Sequence, residues 1–523
     1  MKRREFCRAL AAALAAGALA PCAAAQAETP AAALVGRAVP DDYYSLSFRS
    51  DRKEADLSHS YYYSDSLFDH SALEYDNRLA LATLGMTAAG SGTWASDAQY
   101  WKEGEVGRAA HIRDGFEKLG FAEVALFNYD HSLNEAPSTS ACAIARKTLV
   151  QNGERVTVIA AFLRGAGYGA EWADNFRVGS GTAHAGFVAA ARQLVEPMQR
   201  YVEESAARQP LGTLKFWLGG YSRGGAVANL LAARLPAMLP QLKQENTFVY
   251  TFAAPMALTS ADCPELQQDY DNNHAADGQL KRDWTASNIF NLVSSGDIVP
   301  RVMPVEWGCH RNGNDRFLPA TRRKDELQAL DTMGAELDGG PLAFSQLGDK
   351  EDADAMMAAM LRFFGSRENY HENYETAFHC MVQCAFTRSE AEVAEGRVLD
   401  DEAVVARLRS MEEMQQFSWL TVLRNVLLAS TMSRPILEKL GDVVPLVARQ
   451  IVVPVLAVGL CYGIETDALK LIVYYLLSLY SVRGQINDLL QVPYCHFVEN
   501  YATLLEYYDP AEHGMVPYTR TER

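Results

Sequence analysis

The chain has 523 residues, 49% of them apolar and 22% charged, with a formal net charge of −17. That composition is globular and excludes a disordered polymer, and the length allows one large domain with insertions or two to three domains. The acidic balance excludes nucleic acid and disfavours anionic lipid headgroups as partners, because like charges repel.

Residues 1–27 read as a targeting segment rather than as fold. Met1–Arg8 (MKRREFCR) is basic, Ala9–Ala20 is apolar, and Ala25-Gln26-Ala27 has the small-x-small form of a cleavage site. This predicts a secretory signal removed after Ala27, and the Arg3-Arg4 pair resembles a twin-arginine signal, which exports a folded protein. The apolar run is too short to span a bilayer. A partial lipoprotein box, Leu19-Ala20-Pro21-Cys22, offers the alternative of anchoring at Cys22. Removing residues 1–27 takes away four bases and one acid and moves the net charge to about −20. The expected location is periplasmic or extracellular.

Residues 28–60 are alanine-, serine- and charge-rich and begin as a loose leader, and Tyr61–Ser138 mixes aromatics with helical runs such as Arg78–Met86. From Arg155 the pattern changes. Val156–Phe162, Leu214–Leu218, Phe248–Phe252 and Ile289–Val293 are continuous apolar, β-branched or aromatic runs of the kind that form buried strands. Helical patterns over Phe187–Glu204 and Ala226–Leu239 lie between them. Alternating strands and helices predict an α/β fold with a mostly parallel central sheet.

After Gly313 the strand signals stop, and residues 314–490 read as a large helical insertion. The predicted organisation is therefore a core over 40–313, a helical cap over 314–490 and a return to the core over 491–523. Within the insertion, 443–464 and 469–482 are strongly apolar, but Pro445 and Pro454 interrupt the first. Neither offers ~20 unbroken apolar residues, so the expectation is cap core, with transient contact at a lipid interface as the alternative. Seven cysteines follow the signal, and Cys380-x3-Cys384 has no second pair. Neither a metal site nor a cofactor is expected.

Chemistry gathers at Gly219–Gly225, GGYSRGG. Gly220-x-Ser222-x-Gly224 between a predicted strand and a predicted helix is the context of a nucleophile elbow, a tight turn that lifts a serine hydroxyl above the sheet edge. Gly220 and Gly224 fit there because a Cβ would clash where strand and helix close on each other. A serine needs a histidine base and an orienting carboxylate, in the order Ser, acid, His for this fold class. Asp297 lies just past the predicted strand Ile289–Val293, at the sheet end where catalytic groups collect. Five histidines follow it: His310, His371, His379, His496 and His513. His310 is too near Asp297 in sequence, His371 and His379 belong to the insertion, and His513 lies in the polar tail. His496 lies where the chain can rejoin the core, and on spacing alone a catalytic and a structural role both stand for it.

Five stretches together resemble the class 3 (fungal-type) lipase family of α/β-hydrolases, in particular its bacterial secreted branch. Gly220–Gly224 is similar to the family elbow, and Ala183-His184-Ala185-Gly186-Phe187 to a preceding "VHxGF" segment. Phe162–Ala166 with Glu171–Phe176 resembles an oxyanion-side "FRGT…EWxxNF" stretch, and Asn291–Gly308 an acid-bearing "NxxDxVP…WG" stretch. His496 with Tyr501 resembles a terminal "HxxxxY". The resemblance implies a Ser222–Asp297–His496 triad and an oxyanion hole made by the backbone amides of Arg223 and Ala166. Ala166 stands where the family carries threonine or serine, so a side-chain donor is missing. His184 is read as structural, beneath the active-site loops.

The expectation is an exported serine carboxylester hydrolase acting on acylglycerols or related lipid esters. The alternatives are a phospholipase, a short-chain esterase, or a weakly active lipase-like protein that binds at the cell envelope.

Overall fold

A computed structural model describes residues 35–50, 55–91, 108–129, 139–166, 171, 174–259, 287–318, 323–338, 344, 350–373, 375 and 495–508. The predicted signal segment and the apolar stretches 443–464 and 469–482 lie outside the described residues.

Among the described residues, seven strands form one sheet in sequence order: β3 (Ala122–Phe127), β4 (Cys142–Gln151), β5 (Glu154–Leu163), β6 (Thr213–Tyr221), β7 (Thr247–Phe252), β8 (Ile289–Ser294) and β9 (Asn314–Leu318). The β3–β4 and β4–β5 pairs are antiparallel, and every pair from β5 to β9 is parallel. A separate antiparallel hairpin joins β1 (Asp42–Ser50) to β2 (Ala55–Tyr63). The four runs predicted as buried strands fall within β5, β6, β7 and β8.

Alternate side chains on each strand feed two cores. On one face Ile159, Ala161, Leu163, Phe216 and Leu218 pack with α3 (Ala185–Arg208), α4 (Arg223–Ala232) and α5 (Leu235–Met238). On the other, Val158, Ala160, Phe162 and Trp217 pack with the β1–β2 hairpin, α1 (Asn77–Gly90), α2 (Arg108–Lys118) and the C-terminal α9 (Val498–Tyr507). Trp217 is fully buried, its ring edge-on to Phe162 at 4.7 Å, and its indole N–H donates to Thr83 Oγ1 at 2.7 Å. Satisfying the one polar atom lets so large a ring be buried, and truncation to alanine would cost about 3–5 kcal/mol.

The structure departs from the sequence-based expectation at both ends of the core. The alanine-, serine- and charge-rich stretch 28–60, for which no strand is expected, holds β1 and most of β2, with Leu46, Phe48 and Ser50 buried on one face of β1. Alternation at period two, rather than a continuous apolar run, carries that strand. At the other end, Gly313 does not close the sheet but turns into its last strand, β9. Its φ is +85°, and a Cβ there would meet the Ile289 carbonyl oxygen at 2.3 Å, so glycine is required. β9 is polar because it is an edge strand; Arg316 lies over the ring of Tyr75 at 4.1 Å.

Two further strands, β3 and β4, are not among the expected runs. β4 carries Arg146 and Lys147 in its interior, both buried, donating to the Ser205 carbonyl and to Asp65 with the Leu119 carbonyl respectively. The Asn152-Gly153 dipeptide that joins β4 to β5 has φ of +52° and +79°. Both signs are those of a type I′ hairpin turn, a signal present in the sequence.

Of residues 314–490, expected to be a helical insertion, the described helices are α6 (Lys324–Asp338), α7 (Lys350–Phe364) and α8 (Arg367–Asn373). α6 packs against α9.

Candidate active site

Ser222 joins β6 to α4 with φ of +53° and ψ of −124°. A non-glycine residue adopts that conformation only when its surroundings enforce it. Here the Ser222 amide donates to the Phe252 carbonyl at 2.8 Å, which ties the turn to β7. A Cβ on Gly220 would meet the Gly224 carbonyl oxygen at 2.3 Å, and one on Gly224 would meet those of Arg164 and Leu163 at 2.3 and 2.5 Å. The glycines are there because the start of α4 rests on the exit of β5.

Asp297 lies three residues past β8 and is fully buried. Its Oδ1 accepts from the Val299 amide at 2.9 Å, and its Oδ2 accepts from the Tyr501 hydroxyl at 2.8 Å. The same Oδ2 lies 2.8 Å from Nδ1 of His496. His496 precedes α9, and its Nε2 lies 2.9 Å from Ser222 Oγ. With Nδ1–H donating to the carboxylate, Nε2 is the acceptor for the serine proton. The structure thus brings together Ser222, Asp297 and His496 from three separate parts of the chain.

Two tyrosines brace the His496–Asp297 pair. Tyr221 donates its hydroxyl to the His496 carbonyl, and its ring lies 5.5 Å from the imidazole and 5.8 Å from the Tyr501 ring. Tyr501 also accepts from the Ser294 amide at 3.1 Å. Burial, then the Asp297 charge, pushes the Tyr501 hydroxyl well above its ordinary range, so it stays a donor.

On the other side of Ser222, Gly165 and Ala166 follow β5. The Cβ position of Gly165 is 3.6 Å from Ser222 Cβ, which places this segment against the serine. Arg164 forms a buried two-point pair with Glu171 at 2.9 and 3.3 Å, and Thr139 donates its hydroxyl to the same carboxylate at 3.1 Å. The Arg223 side chain donates to the Thr139 carbonyl at 3.2 and 3.0 Å and to Asn175 Oδ1 at 3.0 Å. Burial pulls its guanidinium below the ordinary value, against the opposing pull of Glu171 and Asp174.

His184 is fully buried and caps α3: its Nδ1 accepts from the Phe187 amide at 3.3 Å and its Nε2 donates to the Asn175 carbonyl at 3.2 Å. Burial, followed by the Arg223 charge, pushes it down to about 3. It is a neutral capping residue below the loops, away from proton transfer. His310 pairs through its backbone with Leu258, and His371 faces Glu375 at 2.9 Å. His379 and His513 lie outside the described residues.

One supporting residue carried no sequence signal. Arg311 donates to the carbonyls of Pro300 and Ala254, both at 2.9 Å, and forks onto Asp315 at 2.9 and 2.6 Å. It thereby fixes the loop after Asp297 to the ends of β7 and β9. Beside it, Asn291 accepts from Thr251 and Asn229 at 2.6 and 3.0 Å and donates to Asp315 at 2.9 Å. Its signal was present as a lone asparagine in the apolar run IFNLV. Among the described residues, no group of three His, Cys, Asp or Glu side chains is placed to hold a metal ion.

A largely parallel sheet with helices on both faces, and a serine on a strand–turn–helix at its carboxyl edge, is the α/β-hydrolase architecture. Residues 157–307 match the family model described as Lipase (class 3). Among solved structures, the chain is similar to the Rhizomucor miehei lipase propeptide complex, at 20% identity over 46% of this chain and 67% of that one, with a TM-score of 0.29. It is similar to a triacylglycerol lipase whose catalytic centre is a serine protease triad, at 20% identity over 46% and 79%, TM-score 0.30. It is also similar to a mutant form of MDLA from Penicillium cyclopium, at 15% identity over 50% and 83%, TM-score 0.30. No curated protein matches the chain.

Proposed function

We propose that this protein is a serine carboxylester hydrolase acting on lipid esters, acylglycerols foremost. The observation that carries the reading is the continuous hydrogen-bonded line Ser222 Oγ, His496 Nε2, His496 Nδ1, Asp297 Oδ2, with separations of 2.9 and 2.8 Å. The elbow conformation of Ser222 supports it, and the class 3 lipase match over 157–307 supports the lipid-ester substrate.

In this reading His496 takes the Ser222 proton as the serine oxygen attacks the ester carbonyl. Asp297 holds the imidazole in the accepting tautomer and stabilises the imidazolium that forms. The oxyanion is held by the backbone amides of Arg223, at the start of α4, and of Ala166. Each such donor is worth about 2.7–4 kcal/mol of barrier. Ala166 offers an amide without a hydroxyl, so the hole rests on main-chain donors. The imidazolium protonates the departing alcohol, and a water molecule, deprotonated by His496, releases the acid from the acyl-enzyme.

The test is hydrolysis of a nitrophenyl ester series from two to sixteen carbons, with Ser222→Ala as control. Turnover that depends on Ser222 and rises with chain length is expected. Absence of Ser222-dependent turnover at every length overturns the enzyme reading, and an optimum at two to four carbons overturns the lipid substrate. Export through residues 1–27 is part of the proposal. It is checked by the N-terminus of the protein recovered outside the cytoplasm, expected just after Ala27.

A further inference from the structure

The described part of the insertion after α6 grips the core at two loops, those leaving β5 and β8. These strands lie on either side of β6 in the sheet order. On the β8 side, Asp354 of α7 pairs with Arg301, and the Trp307 indole N–H donates to the Gly365 carbonyl at 3.0 Å. The Trp307 ring lies 5.8 Å from that of Tyr370. On the β5 side, Tyr370 donates its hydroxyl to the Phe176 carbonyl at 2.8 Å. Arg367 donates to the carbonyls of Gly179, at 2.9 and 3.2 Å, and of Gly181. Glu375 accepts from the Gly179 amide at 2.8 Å. Arg367, Tyr370 and Glu375 are all buried, so this contact is a docked surface and not a loose overhang.

What they grip leads directly to the serine. Glu171 and Asn175, tied to each other by the Asn175 amide donating to the Glu171 carbonyl at 3.2 Å, hold both sides of the proposed oxyanion hole. Glu171 holds Arg164, two residues before Ala166, and Asn175 holds the Arg223 side chain. A shift of Glu171 or Asn175 moves the two amides relative to each other. An oxyanion hole tolerates little such movement, because its donors act only within hydrogen-bond reach of the developing charge.

We infer that Arg367 and Tyr370 are positioning residues for the oxyanion side of the site, acting through the 176–181 loop and through Asn175 and Glu171. The inference rests on the hydrolase reading above. In it, the insertion sets the spacing of the Arg223 and Ala166 amides and so is part of the catalytic framework. Arg367 suits the task because its planar fork reaches two carbonyls at once, which a lysine ammonium does less well.

The test uses the full-length mature protein with Ser222 titrated by a nitrophenyl phosphonate, so that rates are per competent site. For Tyr370→Phe, which removes a single hydroxyl, kcat is expected to fall about threefold to tenfold with KM within about twofold. For Arg367→Ala the expected fall is about 100-fold, and Arg367→Lys should recover part of it. A second readout is the rate ratio between an oxo ester and its thiono analogue, whose sulfur anion fits an oxyanion hole poorly. That ratio should narrow in both Tyr370→Phe and Arg367→Ala, which a loss of folded protein alone would not produce. If the wild type neither turns over esters nor reacts with the phosphonate, the hydrolase reading falls and this inference with it. If the wild type is active and Tyr370→Phe keeps both the wild-type rate per site and the wild-type ratio, the positioning role alone is overturned. Tyr370→Phe is decisive should Arg367→Ala fail to fold.

Discussion

The hydroxyl of Tyr501 and Nδ1 of His496 both lie 2.8 Å from one carboxylate oxygen, Oδ2 of Asp297. In a fully buried site a carboxylate is stable only when its lone pairs are matched by donors, and here the tyrosine supplies one of three. Tyr501→Phe removes that donor and leaves the Ser294 amide without the hydroxyl it donates to. The expected cost is about 1–3 kcal/mol of stability, read from chemical denaturation. Ester turnover should fall about tenfold with little change in KM as the acid loosens.

Asp297→Asn tests the carboxylate itself. An amide can offer its N–H₂ to Nδ1, which favours the tautomer with the proton on Nε2 and leaves nothing to accept the serine proton. Turnover should fall about 10⁴-fold while the fold remains intact. Steady-state kinetics beside a far-UV CD spectrum checks both halves.

Stability should fall on acidification because of His184. Its folded-state pKa is pushed down to about 3, by burial first and then by Arg223, whereas an unfolded histidine titrates near 6.5. Between those values the unfolded chain binds a proton that the folded chain refuses. The stabilisation is therefore full above about pH 6.5 and drains as pH falls, by about 2 kcal/mol at pH 5. His184→Asn keeps a side-chain acceptor for the Phe187 amide but cannot titrate. Unfolding curves at pH 7.5 and pH 5 should therefore differ less for this variant than for the wild type.

Gly224→Ala places a methyl group 2.3 Å from the Arg164 carbonyl oxygen and 2.5 Å from that of Leu163. Both obstacles are backbone, so strand and helix must part. A loss of about 1–3 kcal/mol is expected in thermal or urea unfolding. Activity should fall by more than stability implies, because the displaced strand exit carries Ala166.

Local chemistry made part of this protein readable from its sequence. Apolar strands ending in GGYSRGG or in NLVSSGD announce themselves, because burial on both faces removes polar residues and the sheet's carboxyl edge gathers functional ones. β4 hid because Arg146 and Lys147 look like surface, yet carbonyls of Ser205 and Leu119 wait for them inside. β9 hid because an edge strand keeps its polar residues. Around the site, motif and order pointed to Ser222 and Asp297, whereas His496 stood out only through the resemblance of its stretch to the family's terminal segment. The grip of Arg311 on Pro300, and of Tyr221 on His496, depends on approaches in space that no local pattern encodes.

The placement of His496 also imposes a schedule. The helix that follows it is moored to the opposite end of the chain: Ser50 donates to Glu499 across 449 positions, and His59 meets Glu506 at 2.6 Å across 447. Contacts of such long sequence separation form late, since a long loop must close first. During synthesis Ser222 and Asp297 emerge before His496, by 274 and 199 positions respectively. Under the proposed function, a growing chain therefore holds its serine and carboxylate without their base until the segment around His496 has been made and has docked.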